Sequence, residues 1–183
     1  MTNMKTKTIK LYTLEELSEE SKEKALSGWR EDNDYMFLSD DLNERLSELL
    51  EENGIKDTND TSKAGTKPTQ VQYSLSHSQG DGAMFQGVYI YTYNFTGYLI
   101  EIKHSGRYYH YNSKSYTTTD LEGEEVDNWK EVEQEFDVIY QKICGELEQH
   151  GYDYIEYEDS MENFAQSCEA NEYTFEANGV MNN

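Results

Sequence analysis

The spacing of apolar positions changes repeatedly along the chain, and each change predicts a new element. Residues 7–12 (KTIKLY) alternate apolar and polar, the two-residue period of a half-buried strand. Thr13 and Glu16 have the spacing of a capping box, and Leu14, Leu17, Ala25 and Trp29 recur on one side of a helix predicted over 14–31. Glu19, Glu20 and Glu23 fall on its solvent side. Leu38, Leu42, Leu46, Leu49 and Leu50 form the apolar stripe of a second helix over 40–53, with Ser39 as cap and Gly54 as stop. Residues 56–69 (KDTNDTSKAGTKPT) are polar, hold the only Pro, and read as a flexible loop.

From Gln70 the period is two. Strands are predicted over 70–77, 87–94, 97–104 and 107–113, paired as one antiparallel meander. Helical spacing returns with Val126, Trp129, Val132, Phe136, Ile139, Tyr140, Ile143 and Leu147, which places Trp129, Phe136, Ile143 and Leu147 on one buried face. Asp159-Ser160-Met161-Glu162 caps a last helix carrying Phe164 and Cys168, and residues 172–176 close the chain as a strand. Helices on either side of a block of strands give an α+β fold: a single antiparallel sheet of about four to six strands with helices packed on one face. One domain over residues 1–183 is the expectation.

Charge changes the picture more than size does. Thirty-seven Asp and Glu against 15 Lys and Arg leave a formal charge of −22. Such a chain repels nucleic acid and attracts basic partners. The acids are either a solvated surface or a mimic of a polyanion that docks on a basic nucleic-acid channel. Cys144 and Cys168 have no metal-type neighbour at close spacing and lie on apolar helical faces, so they read as buried, reduced thiols. Residues 1–10 lack an apolar core, and no apolar run reaches the ~20 residues of a membrane span. The expected location is the cytoplasm of a bacterial host, with no membrane, metal or cofactor involved.

Two stretches hold candidate chemistry. SHSQGDGAMFQG, residues 76–87, lies between two predicted strands. Gly80 and Gly82 allow positive φ and Asp81 can bond back to the backbone, so a wide hairpin explains the stretch without chemistry. In the other reading, His77, Gln79 and Asp81 project into a site. KHSGRYYHYNSK, residues 103–114, gathers Lys103, His104, Arg107, His110 and Lys114, five of the chain's 19 Lys, Arg and His, among Tyr108, Tyr109 and Tyr111. Cations interleaved with Tyr suit single-stranded RNA: Lys103, Arg107 and Lys114 would hold phosphate, and Tyr109 or Tyr111 would stack a base. His104 and His110 could then act as general base and acid. The plainer reading pairs these cations with the acidic helices.

Three segments in order, YTLEELSEESKEKAL (12–26), SLSHSQGDGAMFQG (74–87) and ANEYTFEANGV (170–180), resemble a family of small proteins encoded by phages and other mobile elements of bacteria. Its usual forms run as ELSEEAKEKA, SQGDGASF and ANEYEFTEDG, so AMF here departs from ASF. Some relatives look like anti-CRISPR proteins acting on the type II effector nuclease, and one such type is associated with shortening of the guide RNA. The resemblance implies an anti-defence protein whose partner is that nuclease, its guide RNA, or both. It covers no residue of the 103–114 hairpin. The sequence therefore leaves open an inhibitor docking through Glu19, Glu20 and Glu23, an RNA-binding or RNA-cleaving enzyme, and a phage structural or housekeeping protein.

Overall fold

The computed structural model describes residues 8–58 and 71–182. In chain order the elements are α1 (Glu19–Asp32), α2 (Leu38–Glu52), β1 (Lys56–Asp57), β2 (Val71–Ser74), β3 (Gly82–Phe85), β4 (Gly87–Tyr93), β5 (Thr96–His104) and β6 (Lys114–Thr119). Then follow α3 (Trp129–Glu158), α4 (Met161–Ala170), β7 (Thr174–Phe175) and β8 (Met181–Asn182). The fold is α+β, and every strand pair is antiparallel. Among the described residues the strands form three sheets rather than one: β1-β4-β5-β6, β2-β3 and β7-β8. The chain gathers into two compact units, Met1–Tyr35 with Tyr154–Asn183, and Met36–Asp153.

The first unit is built on α1 and α4. Thr13 does not cap α1. Its N–H donates to Glu16 Oε2 at 2.9 Å within a separate turn, and the cap lies at Ser18 rather than Thr13, where Ser18 Oγ accepts from Ser21 N–H at 3.3 Å. Both turn and helix put apolar side chains inward: Leu14, Leu17, Ala25, Leu26, Phe164, Cys168 and Phe175 form one buried cluster. Ser160, not Asp159, caps α4, its Oγ accepting from Asn163 N–H at 3.1 Å. Asp159 instead accepts from the Tyr35 hydroxyl at 2.8 Å. The expected strand over 7–12 reduces to one bridge, Tyr12 to Phe175, and residue 7 lies outside the described residues.

The second unit carries the four-stranded sheet. Tyr98, Ile100 and Ile102 of β5 alternate buried with half-exposed neighbours, and register pairs Tyr89 with Ile100 and Ile102 with Tyr116. This aromatic face is covered by α3: Phe136 meets Tyr91 and Tyr116 edge-on at 5.3 and 5.7 Å, and Tyr140 donates to Phe85 O at 3.1 Å. Phe136, Ile143 and Leu147 are fully buried, but Trp129 opens the helix and is 43% exposed. Leu38, Leu42, Leu46, Leu49 and Leu50 bury the stripe of α2. Its N-cap is Phe37, with no side-chain cap bond, so Ser39 lies inside the helix. Lys56 and Asp57, expected in a loop, pair with Ile90 and Tyr89 at the sheet edge; residues 59–69 of that loop, and Gln70, lie outside the described residues.

Two predicted strands are corrected. Residues 107–113 form a loop, and the fourth strand is β6, seven residues further on. Residues 71–74 do not join the main sheet but pair with β3, the Gly-Ala-Met-Phe run that the sequence presents as part of a turn. All four β3 residues are buried, so the run has no alternation to betray it.

Candidate functional site

The β2–β3 connection is a turn organised by one carboxylate. Asp81 Oδ1 accepts from the hydroxyls of Ser74, Ser76 and Ser78 at 3.1, 3.1 and 3.0 Å. Oδ2 accepts from Ser76 N–H at 2.6 Å, Ser78 N–H at 3.0 Å and the Tyr152 hydroxyl at 2.8 Å. Partial burial works against the charged form, but the bonds from Ser78, Tyr152 and Ser76 outweigh it and hold Asp81 well below the usual carboxylate range. Six donors leave this carboxylate no lone pair for a substrate proton. Its work is structural: it closes the turn and fastens it to α3. Gly80, at φ +103°, follows Gln79 in the Ser78–Asp81 turn, whose closing bond runs from Asp81 N–H to Ser78 O at 3.2 Å.

His77 is exposed, at φ +56°, with its ring stacked on Tyr152 at 4.6 Å. Tyr152 therefore holds both the acid and the imidazole of the turn. Burial first, then the bond to Asp81, pushes its hydroxyl up to about 12.

The turn lies against the β5–β6 loop. A Cβ at Gly80 would come within 3.0 Å of the Tyr108 ring. One at Gly82 would stand 2.9 Å from Tyr109 O and 3.1 Å from the His110 ring. Gly80 thus serves both the turn, through its positive φ, and the close approach, whereas Gly82, expected to use the same freedom, is the first residue of β3 and serves the close approach alone. The stretches singled out in the sequence, 76–82 and 104–111, lie against each other.

Within the loop, bonds fix both imidazoles. His104 Nε2 meets Tyr108 O at 3.2 Å, so that nitrogen carries the hydrogen and Nδ1 is left to accept. His110 Nδ1 accepts from Asn112 N–H at 3.2 Å, which places the ring hydrogen on Nε2. The Tyr109 ring lies 5.2 Å from His104, and Tyr111 lies 3.9 Å from His110. Arg107 sits over Tyr108 at 5.4 Å, and both are exposed.

The lysines divide. Lys103 is exposed and meets Glu101 at 2.8 Å. Lys114 is 10% exposed, bound to Asp137 Oδ1 at 2.5 Å and set over the Tyr116 and Tyr140 rings. Burial opposes ionisation of Asp137, yet bonds from Lys114, Tyr116 and Gln141 lower it below the ordinary carboxylate value. Lys114 is therefore occupied beneath the sheet and Lys103, on β5, is paired with Glu101, which leaves Arg107 as the Lys or Arg of this stretch without a carboxylate partner among the described residues. Asp137 and Tyr152 escaped the sequence reading because acids and Tyr are so common here that neither position is distinctive.

Glu19, Glu20 and Glu23 are exposed on α1, and Glu19 pairs with Lys22 at 2.9 Å. Cys144 and Cys168 are free and buried, and burial pushes their thiols up to about 12 and about 11. Among the described residues, no three His, Cys, Asp or Glu side chains are grouped to hold a metal ion, and no helix is long and apolar enough to cross a membrane. Comparison with protein-family models, curated proteins and solved structures finds no match for the chain.

Proposed function

We propose that the protein is a mobile-element anti-defence binder that occupies the basic nucleic-acid channel of a bacterial type II CRISPR effector nuclease. The carrying observation is charge: −22 overall, with carboxylates such as Glu20 and Glu23 on α1 and Asp40, Glu44 and Glu51 on α2 exposed to solvent. Residues 40, 44 and 51 fall on one side of α2, the first two about 6 Å apart along the axis. A helix so decorated offers a basic groove a regular row of negative charge, and such fields act chiefly on association. The resemblance of residues 12–26, 74–87 and 170–180 to mobile-element proteins supplies the nuclease as the target. Surface plasmon resonance against an immobilised effector nuclease tests the reading: binding is expected, and its absence at low salt would overturn it.

A second reading has an observation of its own. The close packing of Gly80 and Gly82 on Tyr108, Tyr109 and His110 joins the two candidate stretches into one surface, on which His77 and Arg107 are exposed and His104 is half-buried. In this reading the surface binds guide RNA and shortens it, with His104 and His110 moving protons. Gel analysis of end-labelled guide RNA separates the readings. Shortening that His104→Ala or His110→Ala abolishes favours the enzyme, whereas intact RNA leaves the binder.

A further inference from the structure

The first unit contains a cleft of about 750 Å³. We infer that it binds an Arg- or Lys-bearing, partly apolar loop of a partner protein, a contact separate from the acidic helix faces. Leu14, Ala165, Cys168 and Tyr173 supply apolar lining, while Glu15, Glu162, Glu169 and Glu172 supply carboxylates. No Lys, Arg or His lines the cleft, and none of its four Glu is in an ion pair among the described residues.

Two features of the cleft work against the fold itself. Helix α4 ends in a Schellman arrangement: Tyr173 N–H donates to Cys168 O at 3.0 Å and Glu172 N–H to Glu169 O at 3.3 Å. The residue at its left-handed position is usually Gly, yet here it is Glu172, at φ +53°. In addition, Glu169 and Glu172 stand at the C-terminal end of α4, where the helix dipole disfavours negative charge, and no basic residue occupies its last turn. The second feature concentrates negative potential at the rim. A cation is the ligand that offsets it, by neutralising carboxylates at the negative end of the helix; the backbone cost at Glu172 is unaffected. The apolar lining matches the methylene stem of Arg or Lys, which lies on apolar surface while its charged head meets carboxylates.

The test uses the full chain and a fluorescein-labelled octapeptide of alternating Arg and Leu, followed by anisotropy. Saturable binding is expected. Glu162→Lys with Glu169→Lys should weaken it at least ~10-fold, while Glu44→Lys with Glu51→Lys, an equal change of net charge on α2, should change it less than ~2-fold. Glu172→Gly should bind several-fold more weakly while melting no lower than wild type, which separates ligand loss from unfolding. Ala165→Trp, an exposed position filling the cleft, should abolish binding. No binding by the wild-type chain, or equal weakening by both double reversals, would overturn the site. A nuclease that fails to bind the protein would not touch it, because the peptide assay is independent of that target.

Discussion

The Tyr152 hydroxyl donates to Asp81 Oδ2 at 2.8 Å, tying a serine-rich turn to a helix 71 residues further along the chain. The most suggestive motif of the sequence is thereby explained by folding. QGDG holds its Asp so that three serines, two backbone N–H groups and one phenol converge on it, and holds its glycines so that a second loop can lie against it.

Asp81→Ala should cost about 3 kcal/mol at neutral pH, because it strands donors that the ionised carboxylate satisfies. Asp81→Asn should cost less, since the amide oxygen can keep the N–H donors while serine hydroxyls rotate to accept from its NH₂. The native pKa lies below the unfolded value, so the stabilisation is present above about pH 4 and is lost as pH falls toward the native value. Urea unfolding at stepped pH should therefore show the gap between wild type and Asp81→Asn closing in acid. A gap that widens would contradict this role.

Gly82→Ala should disturb the loop at 108–110 more than the sheet, because the new methyl meets Tyr109 O and the His110 ring. Amide and imidazole chemical shifts should move at 108–112 and stay in place in β4. Unchanged loop shifts would mean that the two stretches do not touch.

Phe136→Ala should cost about 3–5 kcal/mol, whereas Trp129→Ala should cost under about 1 kcal/mol. Helical spacing assigns both to one face, but Trp129 is the first residue of α3 and lies largely outside the core. Thermal melts of the two variants should differ widely; equal losses would return Trp129 to the core.

Phe95→Gly should stabilise the protein slightly, by about 0.5–1 kcal/mol. Asn94 and Phe95 turn β4 into β5 at φ +48° and +65°, and the Phe side chain is fully exposed. A tight hairpin of this type prefers Asn-Gly. Destabilisation on calorimetry would mean that the ring has a packing role within the fold.

Long, strongly periodic elements were legible from the sequence. The leucines of α2 and the alternation of β5 each face one way and are uninterrupted. Elements failed where the pattern was short or uniform. Gly82–Phe85 is buried on both sides and so lacks a period. Residues 107–113 have strand composition, but Gly106, at φ +144°, and the Ser105–Ser113 bond at 2.8 Å make them a loop. Thr13 and Glu16 have capping-box spacing, but they close a separate turn, and the helix is capped by Ser18, which accepts from Ser21 N–H. At the candidate site the residue types were visible, but their employment was not. That Asp81 and Lys114 are consumed internally depends on Tyr152 and Asp137, partners distant in sequence.

The central claim is that negative charge on exposed helices carries the interaction with a basic nuclease. The most direct measurement is the association rate with a guide-free type II effector nuclease across ionic strength, for wild type and for Glu19→Lys, Glu20→Lys, Glu23→Lys combined. Exposed charges are screened within about 8–10 Å at physiological salt, so the wild-type rate should fall steeply from about 0.05 to 0.5 M NaCl. The triple reversal should be slower at low salt and flatter across the range. A rate indifferent to both salt and reversal, or no association at the lowest salt, would contradict the account.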